Sequence, residues 1–251
     1  MSPWLPELDL FLVLAPIVFL GCFVFATIGF GGGVVAVPLA AQFLNPLDLL
    51  PILALTETFT VVRMASLDRR HIVIGDAARI MSASVVGTAM GTWLLISLPV
   101  RWLMLGLALF IVAFLLTRLI GKKGRPPINR RWAWPTGTLA GICSGAFGAG
   151  GPPTAMFLNL RQHSLVEARS TIATTGAANL LLRVAAFALA GLYAKPGILL
   201  TAAWLIPVAF ISIKIAERLR HRISDGLILK ATFALLGFSA VSLIVRAVMA
   251  P

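Results

Sequence analysis

Long apolar runs cut by short polar segments make up almost the whole chain. In the first half, apolar runs cover residues 10–28, 34–44, 49–67, 72–98 and 102–120; in the second, they cover 132–147, 154–160, 171–192, 198–215 and 227–248. Most of these runs have about the 20 residues that a helix needs to cross a bilayer. Two are broken by glycine instead of by a polar loop. "GFGGG" at 29–33 interrupts the first, and "GAGGPP" at 148–153 interrupts its counterpart in the second half. Glycine inside a helix costs about 1 kcal/mol relative to alanine, so a cluster predicts a break in the helix. Polar turns fall at "NPLD" (45–48), "DRRH" (68–71), "RQHS" (161–164) and "YAKPG" (193–197), with a basic segment, "GKKGRPPINRRW", at the midpoint (121–132).

Composition identifies the solvent. Of the 251 residues 59% are hydrophobic and 12% charged, and the mean hydropathy is +0.96. Soluble domains carry about one quarter charged residues. The chain is therefore read as an all-α polytopic membrane protein without a separate soluble domain. The net charge of +12 resides in short loops, where membrane topology places Lys and Arg. No basic stripe interleaves with aromatics, so nucleic acid is not expected as a partner. Cys22 and Cys143 lie in apolar runs and read as small core residues, and no Cys/His cluster implies a metal or other cofactor. The N-terminal "MSPWLPELDLF" has no basic n-region, so the first apolar run is expected to be retained.

The two halves repeat one plan. A shift of 118 residues places Gly32 and Gly33 on Gly150 and Gly151, and Thr56 on Thr174. If each glycine-broken segment crossed the membrane once, the 121–131 loop and "ERLRHR" (217–222) would lie on opposite sides. If each is instead a re-entrant hairpin, both loops lie inside, as do Arg69, Arg70, Arg161 and Arg169, in accord with the positive-inside rule. The chain is thus expected to hold two inverted repeats, each a hairpin plus three transmembrane helices. The first is 1–120 (hairpin 10–44, helices 49–67, 72–98 and 102–120). A basic cytoplasmic linker (121–131) leads to the second, 132–251 (hairpin 132–160, helices 171–192, 198–215 and 227–248). Both termini then face outward from the cytoplasmic membrane. The run at 10–28 is long enough to span alone, which makes the first hairpin the harder one to read.

Inverted repeats with broken helices point to a transporter with its site near the membrane midplane. The returning helices begin at the glycine breaks, and a helix N-terminus offers free N–H groups and about half a positive charge. Gly31, Gly32 and Gly33 on one tip and Gly148, Gly150 and Gly151 on the other would together form an anion site. Pro152 suits the first turn of the second returning helix.

With "GFGGGVVAVP" early in one half and "GAFGAGGPP" early in the other, the chain resembles the TauE/SafE family of sulfite exporters over nearly its whole length. The resemblance implies transport, in the export direction, of small sulfur-containing anions: sulfite, sulfoacetate and related organosulfonates. The second glycine motif is less glycine-rich than the first, so the tips need not contribute equally.

Polar residues in the membrane complete the candidate site. Arg183 lies mid-run, where an unpaired charge is expensive; it is either a counter-charge for the anion or a partner for Glu57. Glu57 either pairs with an arginine or carries a proton. Arg63 either snorkels to the inner face or pairs with a charge. Thr56, Thr174, Thr175 and Asn179 follow the hairpins and are candidate donors to oxyanion oxygens, with bonding inside their own helices as the alternative for the threonines. No phosphate-binding loop exists, so ATP drive within the chain is not expected. Efflux of a monoanion as a uniport would gain about 2.3 kcal/mol per 100 mV. An anion channel, or an importer of a related oxyanion or carboxylate, is the rival reading. An enzyme would need a nucleophile–base or metal constellation that the apolar runs do not contain. The expected partners are the small anion and the lipid bilayer, with a homodimer left open.

Overall fold

The structure is a computed structural model that describes residues 8–28, 31–67, 71–119 and 127–219, with single positions between 234 and 245. The described residues are helical, without strands: α1 (Leu8–Ile28), α2 (Gly32–Ala40), α3 (Pro46–Leu67), α4 (Ile74–Ser97), α5 (Val100–Leu119), α6 (Ala133–Phe147), α7 (Gly151–Leu160), α8 (Leu165–Leu189) and α9 (Ile198–Leu219). Most of the helix expected over 227–248 lies outside the described residues, as do residues 121–126 of the linker.

Local chemistry sets the boundaries. Gly31 takes a left-handed conformation (φ 96°) immediately before α2, and Gly148 takes one (φ 67°) immediately after α6. A side chain at either position would be strained, which is why the chain turns at glycine there. α8 starts at Leu165, six residues before the apolar run that predicts it. Ser164 and Glu167 form a reciprocal capping box that nucleates the helix through the polar stretch. Apolarity alone misses that turn.

Among the described residues, four helices are long and apolar enough to cross a membrane: Leu10–Thr27, Ile74–Ser97, Val166–Leu189 and Ile198–Leu219. α2 and α7 have 9 and 10 residues, so each is about 15 Å long, half of a hydrocarbon core. α2 is nonetheless deeply buried, with Val34, Val35, Ala36 and Val37 each at most 2% exposed, and α7 buries Pro152, Thr154, Ala155, Phe157 and Leu158. A short helix inside such a chain has to be covered by protein, because its unpaired ends cannot face lipid.

The packing follows a reciprocal pattern. α1 packs on α2 as α6 packs on α7; α1 lies along α9 as α6 lies along α4; α3 packs on α9 as α8 packs on α4; and α3 meets α8. The main core is apolar and gathers α1, α2, α3, α5 and α9, with Leu180 and Phe187 of α8.

Candidate functional site

The two glycine breaks meet. A Cβ built on Gly33, at the start of α2, would fall on the carbonyl oxygen of Gly148, at the end of α6. Only glycine permits this approach of backbone to backbone. Beside the contact lies a cavity of about 50 Å³. A water needs roughly 10–15 Å³ on this measure, so the space suits a few waters or one small oxyanion.

Both tips line this cavity, with Gly31, Gly32 and Gly33 on one side and Gly148, Ala149, Gly150 and Gly151 on the other. The first turn of α2 leaves the N–H groups of Gly32, Gly33 and Val34 without partners in their own helix. The α7 tip is poorer in donors. Pro152 and Pro153 have no N–H, and the Ala149 amide donates to the Cys143 carbonyl at 3.0 Å.

The charged part of the cavity comes from the long helices behind the tips. Arg183 Nη2 of α8 donates to Glu57 Oε2 of α3 at 2.9 Å, with both side chains largely buried (3% and 13% exposed). Of the two roles open to Arg183, the geometry realises the pairing with Glu57. Among the described residues Arg183 is not saturated by it: its Nε is buried without a hydrogen-bond partner there, as is Oδ1 of Asn179, one turn earlier on the same helix. Unpartnered polar atoms this deep are uncommon in proteins, and these two face a cavity where a ligand or water could meet them. Arg183 Nη1 lies 2.9 Å from the place a Cβ would occupy on Gly148, and Asn179 Nδ2 lies 3.4 Å from the equivalent point on Gly150. α8 thus stands behind the second tip. Glu57 stands behind the first, with Oε1 at 3.6 Å from a Cβ on either Gly32 or Gly33. Tyr193, in the turn Leu192–Ala194, feels the Arg183 charge; burial, working against that charge, pushes its phenol up to about 12, so it stays neutral and its hydroxyl has no partner among the described residues.

Not every candidate reaches the cavity. Thr56, Thr174 and Thr175 donate to carbonyls one turn back in their own helices, Ile52, Ser170 and Thr171, and do not line it. Pro152 lies behind the tip. Arg63 donates to Glu217 of α9 at 2.9 Å, at an exposed site.

Other lining residues had no motif to announce them: Phe25 of α1, Ser144 of α6, Val61 of α3, and Ile172, Gly176 and Leu180 of α8. The α8 residues had a usable signal. Positions 172, 176, 179, 180 and 183 share one face of a helix, so Arg183 alone marks that face. The 118-residue shift also pairs Val61 with Asn179, an apolar side chain with an amide, and both line the cavity.

Apolar helices long enough to span a bilayer, with a small cavity lined by charged side chains between them, describe a multi-pass membrane protein. The family model for the sulfite exporter TauE/SafE matches residues 14–243. The chain belongs to that family, whose name describes membrane exporters of sulfite. No curated protein and no solved structure matches the chain.

Proposed function

We propose that the chain is a secondary transporter that exports small sulfur-containing anions, sulfite, sulfoacetate or related organosulfonates, across the cytoplasmic membrane, holding the anion between the two glycine tips near mid-membrane. The observation that carries this reading is the meeting of Gly33 with the Gly148 carbonyl beside a half-open cavity lined by an arginine. Helix N-termini favour anions, and Arg183 with its spare Nε adds a cationic donor.

The reciprocal packing supports two inverted repeats, 1–120 and 132–251. In both, the first helix of the hairpin lies along a helix of the other half, α1 on α9 and α6 on α4, as a two-fold exchange of equivalent elements would have it. With the hairpins re-entrant, the basic loops lie on the cytoplasmic side and both termini on the outer side.

The test is transport by the purified protein in proteoliposomes, with sulfite, thiosulfate, sulfoacetate and taurine in competition under an imposed voltage. Saturable flux and counterflow are expected; flux that rises linearly with concentration, without counterflow, would point to a channel. Gly32→Leu and Gly150→Leu are expected to lose at least about 90% of transport: a Cβ at Gly32 would meet the Gly21 carbonyl at 3.1 Å and one at Gly150 the Ala140 carbonyl at 2.8 Å, so each side chain displaces its tip, and flux is compared at equal amounts of folded, inserted protein. Wild-type flux in both variants removes the tips from the mechanism.

A further inference from the structure

Glu57 is in the wrong place for a simple anion site. Its Oε2 is engaged by Arg183, but Oε1 is turned to the tip of α2, 3.6 Å from a Cβ on either Gly32 or Gly33. Those residues carry the amides that would draw in an anion. An anion reaching them meets a carboxylate oxygen, and at that range the two repel strongly wherever water is scarce. There is also a balance of formal charge. Ionised Glu57 and Arg183 cancel, so the cavity with its pair intact has no formal charge to offer. An added anion would leave one negative charge uncompensated inside the membrane, where such a charge is costly.

A single proton removes both obstacles. On Oε1 it turns a repelling acceptor into a donor aimed at the tip, and it releases the Arg183 charge for the ligand. Arg183 Nε and Asn179 Oδ1, buried and without partners among the described residues, leave the cavity hydrogen-bonding capacity for something besides Glu57.

We propose that Glu57 is the proton site of this transporter: one proton from the aqueous phase binds at Oε1 with each anion and leaves with it on the far side. This rests on the reading of the cavity as the anion site. The site is then formally neutral both with the Glu57–Arg183 pair intact and with protonated Glu57, Arg183 and a bound monoanion. Monoanion transport moves no net charge, and transport of a dianion moves one negative charge.

The neighbouring groups are otherwise engaged. On α1, Cys22 accepts from Thr60 Oγ1 at 3.5 Å. On α9, Glu217 pairs with Arg63 and Lys214 lies over the Phe210 ring. On α8, Arg169 donates to the Thr27 carbonyl and Glu167 caps its own helix. On α4, Asp76 is held by Arg130, Arg161 and His163, and Arg79 donates to the Gly75 carbonyl. Tyr193 flanks Arg183 as a neutral phenol. α2 and the α6–α7 turn bring no ionisable side chain to the cavity. Glu57 is therefore the carboxylate of this group that faces the tips.

The experiment uses full-length protein in liposomes loaded with a pH-sensitive dye, the voltage clamped by potassium and valinomycin. Sulfoacetate is the probe, because its acid groups stay ionised from about pH 6 to 8 and any internal acidification reports protons carried by the protein. One proton per sulfoacetate is expected in the wild type. In Glu57→Gln, proton movement should vanish and exchange should lose its pH dependence; Glu57→Asp should restore both. Wild-type sulfoacetate counterflow without proton movement overturns this inference and leaves the cavity reading standing. Absence of counterflow with both sulfoacetate and sulfite overturns both. The wild-type ratio decides the matter even where a Glu57 variant fails to fold.

Discussion

The α4–α6 and α1–α9 seams are reciprocal in the packing of the helices, yet they are made of different material. Along α4 and α6 the backbones touch. A Cβ on Gly141 would lie 2.5 Å from the Ser84 carbonyl, one on Gly145 would lie 2.7 Å from that of Thr88, and one on Gly87, Gly91 or Gly137 would overlap the carbonyl of Thr138, Ile142 or Ile80. Small residues four apart let membrane helices approach this closely. α9 has no glycine, and buried side chains such as Leu205, Ala209 and Ile213 separate it from its neighbours. Gly21 of α1 is turned to α2 instead, 2.9 Å from the Ala36 Cβ. One seam is a close backbone joint, while the other is a cushion of side chains. A transporter that moves one unit against another can do so at the second seam with less disruption than at the first.

The sharpest way to break this comparison is one methyl group. Helix propensity alone predicts that Gly141→Ala stabilises the protein by about 1 kcal/mol. The clash with Ser84 and Thr88 backbone atoms, at 2.5 and 2.7 Å, should reverse the sign and cost at least about 3 kcal/mol, since backbone cannot swing aside as a side chain can. The matching change at the other seam, Ala209→Gly, should cost about 1–2 kcal/mol through lost burial and propensity. Thermal unfolding in detergent reads both. An unchanged melting temperature for Gly141→Ala would mean that the two seams are alike.

Much of the fold was legible because lipid imposes strong rules. Apolar runs become helices, and glycine clusters break them. Gly31 and Gly148 showed where the chain turns; Glu57 and Arg183 were visible as charges too deep to be idle. What stayed hidden depends on the third dimension. Nothing local distinguishes Asn179, which lines the cavity, from Thr175, which bonds back to Thr171. The spacing of Gly137, Gly141 and Gly145 was there to read, but a small-residue stripe does not say which helix it will meet. The start of α8 was hidden because apolarity lapses there, while Ser164 and Glu167 carry the helix forward.

A smaller effect sharpens the comparison at the ends of the seams. Beside the start of α4, Asp76 is fully buried and accepts from Arg130 at 2.8 Å, from Arg161 at 3.3 Å and faces His163 at 3.0 Å, tying α4 to the residues before α6 and after α7. α9 is tied to α3 by the exposed Arg63–Glu217 pair. Asp76→Asn should cost about 2 kcal/mol. That is less than the loss of a fully buried pair, because Arg130 keeps contact with water. Glu217→Gln should cost under about 1 kcal/mol. Equal losses in chemical denaturation would contradict the claim that one end is latched and the other only pinned.

The smallest effect bears on motion. Ser212 Oγ of α9 donates to the Phe19 carbonyl of α1 at 2.7 Å, a partly buried hydrogen bond that crosses the cushioned seam. Within membranes such bonds average about 0.6 kcal/mol. Ser212→Ala should therefore barely move the melting temperature. If the α1–α9 seam slides during transport and the bond is lost in the rate-limiting step, removing it lowers that barrier by the same amount and speeds exchange roughly two- to threefold. The same small loss of stability with no gain in exchange rate would place the moving boundary elsewhere, and the difference between the two seams would then be one of stability alone.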